Sequence, residues 1–596
     1  MTLLVNDPDH FADEAVDGLV AAHPQHLRRV RGGVVRARPG AEGSVALVVG
    51  GGSGHYPAFA GWVGEGFAAG AACGGMFSSP SASQIRAVVR AAEVGGGALL
   101  GYGKYAGDVL HFGLAAEMLR SEGVDVREIA ITDDIASAGP DSVDERRGIA
   151  GDLVVLKVAG AAAAAGLDLD AVEALARRAN DRTRTLGVAL SGCTLPGARE
   201  PLFTIDRGRM GVGLGIHGEP GLEERDLPAA DGVADLLADG VLAEEPERGD
   251  GPQGYRGRVA VVLNGLGGGS QDELLVLHRR VDERLREAGL VVVRPEVGEL
   301  VTSLDMTGAS LTIAFLDDEL EEHWRAACDA PAYRRSAAPA DVEPVPPVED
   351  EEEAEVPPAA EPSQRAAHRV ADAVDAARDV VVAASDRLGE LDAVAGDGDH
   401  GIGMARGLRA ASDAARRAVD AGAGCRTVLV RAGEAWSEGA GGTSGALWGA
   451  ALTAAGSSLD DDRAPSEEDV VTAVRAGVDA VLRLGGARPG DKTMVDAIVP
   501  FVEALESRAG DQGLRAAWDT ATRAAVEAAE ATADVSASVG RARTHGDRSV
   551  GTPDPGALSF SMVVRAVVGD LSADEAPGAV GPAGRDAGRG PAETSS

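Results

Sequence analysis

Residues 44–61 read SVALVVGGGSGHYPAFAG, and the order of residue types in this stretch sets the fold class of what surrounds it. Val45 to Val49 form a short apolar run, the right length for a buried strand and too short for a helix. Gly50, Gly51, Gly52 and Gly54 follow at once, and a glycine-rich turn at a strand end lets backbone amides approach a ligand. The same grammar returns in GALLGYG (97–103), REIAIT (127–132), RVAVVLNGLGGGS (258–270) and LVVVRPEV (290–297). Between these runs lie stretches with helical spacing, such as SASQIRAVVRAAEV (81–94). Such alternation predicts α/β layering over residues 1–330, a span large enough for two α/β lobes.

The pattern stops near residue 330. Residues 331–363 are rich in proline and acid, and mutual repulsion with stiff prolines predicts an extended tether there. From 364 to 572 strand-like runs are scarce. SQRAAHRVADAVDAARDVVVAASDRLGEL (363–391) and GLRAAWDTATRAAVEAAEATADV (513–535) carry Ala-rich helical spacing, which predicts an all-α helical bundle. Residues 573–596 have the composition of a disordered tail.

Composition narrows the function. Of 596 residues, 56 are basic and 94 acidic, a net charge of −38. That balance argues against nucleic-acid binding and against docking on anionic membranes. Aromatics at 3% make base-stacking platforms an unlikely design. Nearly all positive charge is arginine; the lysines are Lys104, Lys157 and Lys492. Cys73, Cys193, Cys328 and Cys425 lie too far apart for a CxxC pair and suggest no disulfide framework, which fits a reduced, cytoplasmic compartment. The N-terminus is acidic where a signal peptide would be basic, and no apolar run is long enough to span a membrane.

In the first half a dinucleotide fingerprint fails on spacing, because GxGxxG from Gly50 needs glycine where His55 stands. GLGIHG (213–218) matches that pattern formally, but no apolar strand is expected before it, so it is set aside. His55 follows the glycine turn, and His217 lies in the flexible GVGLGIHGEPG (211–221). Each is a candidate site residue, with a structural or merely exposed histidine as the plain alternative. Asp108, in GYGKYAGDVLHF (101–112), is either a site residue or the cap of a helix starting there.

In the second half LDAVAGDGDHGIG (391–403) places Asp392, Asp397 and Asp399 within eight residues, with glycines that permit a tight turn. Hard carboxylate oxygens so gathered suit Mg²⁺ carrying nucleotide phosphates. A calcium loop is excluded, since its twelfth position from Asp397 is Leu408 rather than Glu. An acidic turn between helices is the bland alternative. GAGGTSGALWG (439–449) offers hydroxyls and amides at a helix start, where phosphate binds. GGARPGDKTM (485–494) is no Walker loop, because Asp491 separates Gly490 from Lys492.

Taken together and in order, GGGSGHYPAFAG (50–61), FSSPSASQI (77–85), YAGDVLHF (105–112), RRGIAGD (146–152), GCTLPG (192–197), GLGIHGEPG (213–221) and TSLDMTG (302–308) resemble the ketose-binding domain of the dihydroxyacetone kinase family. The motifs of the second half resemble the nucleotide-binding helical domain of the same family. The resemblance implies a single-chain, ATP-dependent kinase of a short ketose. It implies that His217 adds to the substrate carbonyl as a hemiaminal, that His55 and Asp108 share the acid/base work, and that the amides of Gly52 and Ser53 contact substrate oxygens. In the second domain it implies that Asp392, Asp397 and Asp399 ligate two Mg²⁺ ions. His400, Gly401, Ile402, Gly403, Thr443 and Ser444 would then lie on the phosphates of ATP. Gly486 would also contact the nucleotide and Met494 the adenine, while Arg541, Asp554, Pro555 and Gly556 would close the site. It further implies a homodimer.

The sequence departs from the common family wording at Tyr56, Gly103-Lys104, CGGMF (73–77), Gly389 and Arg543-Thr544. The first two lie beside the sugar loops and bear on the ketose's identity rather than on the reaction. GGGSGHYPAF resembles the branch containing erythrulose kinases, leaving dihydroxyacetone and either erythrulose as candidates. Three other readings stand beside the kinase: a phosphotransferase-system subunit with a resident nucleotide, a flavin-nucleotide cyclase, and a non-catalytic ketose sensor. Retention of His55, Asp108, His217 and all three aspartates favours catalysis.

Overall fold

The computed structural model describes residues 4–337, 355–394, 396–539 and 546–567. They form two compact units, Met1–Pro344 and Val345–Ser596. The tail expected at 573–596 lies outside the described residues, as does Arg541.

The first unit holds two sheets. The first is ordered β1 (Leu27–Val30), β2 (Gly33–Arg36), β4 (Gly70–Met76), β3 (Ala46–Ser53), β5 (Ala98–Gly103), β6 (Val126–Ile131). Its last four strands are parallel, while β1 and β2 form an antiparallel edge. Side chains alternate across it as strand geometry requires. Val35, Val48 and Leu100 meet α2 (Ala82–Ala92) and α3 (Ala106–Ser121) in one core. Val34, Leu47, Val49 and Leu99 face the other way, toward α4 (Asp152–Ala164) and α5 (Leu169–Asp181). The apolar α4 is buried almost throughout, as a helix inside a domain must be. A further helix, α1 (Phe11–Ala22), adds Val16 to that core.

The second sheet runs β11 (Val291–Val292), β10 (Arg258–Gly265), β13 (Gly308–Leu316), β7 (Thr183–Ala189), β8 (Arg209–Val212), β9 (Glu223–Asp226), and β12 (Glu296–Gly298) also pairs with β10. Val259, Val261 and Leu263 of β10 join a core beneath α6 (Ala230–Leu242) and α7 (Gln271–Glu287), while Ala260 and Val262 face the core around α4. The run LVVVRPEV is two strands, not one. Both pair in parallel with β10, but the register slips by one residue between Val292 and Glu296. Pro295 has no N–H to offer the ladder, and Arg294 beside it adopts φ 49°.

The unit ends with α8 (Asp318–Arg325) and a hairpin of β14 (Cys328–Ala330) and β15 (Tyr333–Arg335). The expected tether is therefore corrected at both ends. Tyr333 and Arg335 are buried, with the Arg335 guanidinium 4.1 Å above the Trp324 ring, so the first tether residues pack. At the other end α9 (Glu361–Ala383) has already begun by residue 361, with Pro362 in its first turn where no N–H is missed.

Among its described residues the second unit holds helices and no strand. After α9 come α10 (Ser385–Asp392), α11 (His400–Asp420), α12 (Cys425–Ala440), α13 (Gly442–Ser457), α14 (Glu467–Gly485), α15 (Val495–Gln512), α16 (Leu514–Ala531), α17 (Gly546–Ser549) and α18 (Pro555–Val567). From α11 to α16 each helix packs on the next; α16 packs on α18, α18 on α9 and α9 on α11, which closes a ring. Short connections make successive ring helices alternate in direction. The described residues of 393–399, 441, 486–494, 532–539 and 546–554 consequently gather at one end.

Candidate functional site

In the first sheet the chain leaves β3 for β4 on one side, while β5 lies on the other. Ligands of open α/β sheets bind at such a switch point, beyond the carboxyl ends of the strands. The glycines expected in a turn there continue β3 instead. A Cβ at Gly51 would lie 2.6 Å from the Phe59 ring and one at Gly52 2.8 Å from the Ser78 nitrogen, so only glycine lets the strand run on. Gly54 makes the turn, at φ 107°.

His55 follows and is buried. Its Nδ1 lies 2.8 Å from the Thr302 carbonyl, so Nδ1 carries a proton and donates. Its ring stacks on Phe77, centroids 5.0 Å apart. Burial, with the His217 ring beside it, pushes His55 down to about 3. His217 stands in the turn after β8. Its Nδ1 is 2.9 Å from Glu219 Oε1, and its backbone N–H donates to Glu219 Oε2 at 3.0 Å. Burial raises the Glu219 carboxyl, but its bonds to His217 outweigh this and hold it at about 2. The two Nε2 atoms of His55 and His217 are 3.0 Å apart. Tyr105 presents its ring edgewise to His217, centroids 4.9 Å apart.

Asp108 does not cap α3. Tyr105 holds the N-cap position, and Asp108 sits in the first turn with its carboxyl turned inward. Burial pushes it up to about 6, against a hydrogen bond from Ser79. Its Oδ1 has no hydrogen-bond partner among the described residues, nor has Oδ1 of Asp152 at the start of α4. His55, His217, Asp108, Asp152 and Gly52 line one cavity of about 30 Å³, the room of one water molecule. Ser53 is not brought there. Its hydroxyl donates to the Gly74 carbonyl at 2.7 Å, and it lines a separate cavity of about 690 Å³. GLGIHG does follow a strand, β8, contrary to expectation. No helix follows it, so it remains unlike a dinucleotide fingerprint.

In the helical unit one carboxylate oxygen from each of Asp392, Asp397 and Asp399 lies within 4.8 Å of the others. The Gly398 N–H donates to Asp392 at 2.9 Å, and a Cβ at Gly396 would sit 2.3 Å from Asp392 Oδ1. The turn is thus a cradle of hard oxygens that a side chain would fill, and it fits a magnesium ion. Asp392, Lys492, Asp554 and Pro555 share a cavity of about 60 Å³ beside it. Asp554 accepts the Ala557 N–H at 2.7 Å in the first turn of α18, and burial pushes its carboxyl up to about 7. Met494, just before α15, lies where a Cβ at Gly556 would come within 3.4 Å of its own Cβ. His400 opens α11, its Nε2 3.0 Å from Ser559 Oγ. Gly401 presses on α10, where a Cβ would lie 1.9 Å from the Ser385 carbonyl. Ile402 and Thr443 are exposed, Gly403 and Ser444 half-buried. Gly486 ends α14 in the left-handed conformation, so its plain role is a helix stop.

Two contributors escaped the sequence. Glu219 carries a signal, an acid two residues past His217 across a tight turn. Lys492 is one of few lysines in an arginine-rich chain, and its Nζ donates to the carbonyls of Val535, Ser549 and Thr552 at 2.9, 2.5 and 2.7 Å. Three converging carbonyls suit a tetrahedral ammonium and not a planar guanidinium.

An α/β unit with a switch-point site, joined to a helical ring with a carboxylate cradle, is the build of a two-domain phosphotransferase. Comparison with known proteins makes this specific: residues 17–332 match the Dak1 domain and residues 394–569 the DAK2 domain. The chain belongs to the dihydroxyacetone kinase family, as a single-chain member carrying both domains. It is 58% identical over 568 residues to L-erythrulose 1-kinase of Mycolicibacterium smegmatis, covering 95% of this chain and 99% of that one. It is 51% identical over 578 residues to D-erythrulose kinase of the same organism, covering 95% and 98%. The crystal structure of the dihydroxyacetone kinase from C. freundii in complex with AMP-PNP and Mg²⁺ superposes with a TM-score of 0.59 at 32% identity, covering 95% and 99%. Among the described residues no helix is long and apolar enough to cross a membrane.

Proposed function

We propose that this chain, an ATP-dependent ketose kinase by family, phosphorylates a terminal hydroxyl of erythrulose, held as a hemiaminal on His217. The observation that carries the reading is the 3.0 Å contact between the two Nε2 atoms inside the switch-point cavity. The pair starts with one proton beyond two neutral rings, held between the two Nε2 atoms; it moves onto Nε2 of His55, and the freed Nε2 of His217 attacks the ketone carbon. The C=O π bond breaks, and its oxygen takes the proton back from His55. The adduct leaves a cationic ring on His217, which the Glu219 carboxylate balances. A polyol without a carbonyl cannot form this bond, so the site selects ketoses. The small cavity admits the sugar as the two rings part. Asp108 then accepts the proton of the hydroxyl that attacks the γ-phosphate.

Asp392, Asp397 and Asp399 would hold Mg²⁺, two ions by the family resemblance, which supplies charge neutralisation on the β- and γ-phosphates of ATP. His400 to Gly403, Thr443, Ser444, Gly486, Met494 and Asp554 to Gly556 would be its nucleotide contacts, a reading supported by their position at that end of the ring. A homodimer in the cytoplasm completes the proposal. The test is a coupled ATP assay with L-erythrulose, D-erythrulose, dihydroxyacetone and glycerol. Turnover of the ketoses without glycerol is expected, and equal turnover of glycerol would sink the hemiaminal.

A further inference from the structure

Asp152 is the buried polar group for which the mechanism above has no use. It opens α4, the helix enclosed between the two sheets, and is 3% exposed. Its Oδ1 meets no donor among the described residues. An orphaned buried carboxyl oxygen costs stability, and such groups persist where a ligand supplies the missing bond. The carboxyl faces the cavity that holds His55, Asp108 and His217. Glycines pack closely on the carboxyl: a Cβ at Gly103 would lie 3.2 Å from Asp152 Oδ2, and one at Gly148 3.0 Å from Oδ1 and 2.6 Å from Gly103 Cα, so no side chain at either position could sit over it. Asp108 is accounted for as the base at the reacting hydroxyl, and the histidines at the carbonyl. A three-carbon ketose then has one hydroxyl left, and a four-carbon ketose has two.

We propose that Asp152 is a specificity-determining residue whose orphaned oxygen, at the wall of this cavity, hydrogen-bonds the additional carbinol hydroxyl of a four-carbon ketose. This rests on the ketose-kinase reading and deepens it. A site built to bond a hydroxyl discriminates strongly against the analogue lacking it, whereas a merely roomy site does not. Replacing Asp152 therefore acts on one substrate and spares the other.

The experiment is kcat/KM for L-erythrulose, D-erythrulose and dihydroxyacetone in wild type, Asp152→Asn and Asp152→Leu. Asn keeps a hydrogen-bonding edge, while Leu keeps the branched shape, is somewhat larger and loses that edge. For Asp152→Leu we expect a loss of about tenfold or more on the preferred erythrulose and less than about threefold on dihydroxyacetone, with Asp152→Asn within about threefold of wild type on both. Equal losses on three- and four-carbon ketoses, an unchanged erythrulose value, or an Asn variant that falls as far as Leu would each overturn the assignment. If the Leu variant does not fold, Asp152→Ser is judged by the same criteria. A wild type that turns over no ketose removes the parent reading instead, so the two failures are distinguishable.

Discussion

His55 and His217 face each other through their Nε2 atoms at 3.0 Å, while both Nδ1 atoms are already committed as donors, to the Thr302 carbonyl and the Glu219 carboxylate. Two neutral rings so committed would oppose lone pair to lone pair. A hydrogen bond between them requires one further proton, and the carboxylate lies on the His217 side. On the proposed mechanism the pair is a proton relay with its counterion built in. His217→Ala removes the proposed nucleophile and should lower ketose kinase activity by about a thousandfold or more in the coupled assay, while AMP-PNP with Mg²⁺ still raises the thermal midpoint of the helical unit.

Glu219 positions that relay. Glu219→Gln keeps an oxygen at Nδ1 but removes the charge that balances the cationic ring. We expect kcat to fall about 10- to 100-fold with a smaller change in KM, and Glu219→Asp to recover part of the loss. A drop confined to KM would make Glu219 a substrate contact instead.

The Asp108 carboxyl, pushed up to about 6, gives two linked expectations. As a base it works ionised, so kcat/KM should rise as pH passes upward through about 6. For stability the sign is opposite. Below about pH 4 folded and unfolded chains both hold the proton and the group is neutral to folding. Between about pH 4 and 6 the unfolded chain has ionised while the folded carboxyl still holds its proton, so stability falls as pH rises and the full cost remains once the buried group ionises. Asp108→Asn should therefore melt higher than wild type at about pH 7.5, match it near pH 4, and be inactive.

At the carboxylate cradle, Asp397→Ala should abolish Mg-ATP-dependent turnover while leaving ketose binding by the first unit intact, read by isothermal titration with the sugar alone. Chelation of Mg²⁺ should give the same outcome, reversed by adding the metal back.

Lys492, in the loop after α14, ties Val535, Ser549 and Thr552 together through their three carbonyls. Lys492→Arg keeps the charge but cannot aim three donors at one point. A loss of about 2 kcal/mol in denaturant unfolding of the helical unit is expected, and an Arg variant as stable as wild type would show that charge alone suffices.

The periodicity around Val45–Val49 and the Ala-rich helices revealed the class of each unit, because both signals are local. What lay beyond reach was set by distant partners. Gly50–Ser53 read as a turn, yet they extend β3 because Phe59 and Ser78 press on them. LVVVRPEV read as one strand, yet Pro295 breaks its pairing with β10. Asp108 read as a possible cap, and only the fold shows its carboxyl turned inward beside Asp152. The histidines were legible from their glycine-rich loops, but their mutual contact joins residues 162 positions apart.

The ring of helices has a consequence for synthesis. α18 packs on both α16 and α9, and the Trp518 indole donates to the Val564 carbonyl at 2.9 Å. A circle lacking one member exposes an apolar seam on both neighbours. The α/β unit has all its described strands by residue 335 and can settle while translation continues. The ring closes only once α18, through residue 567, has emerged from the ribosome, so the earlier helices stay exposed to proteases and chaperones until it arrives.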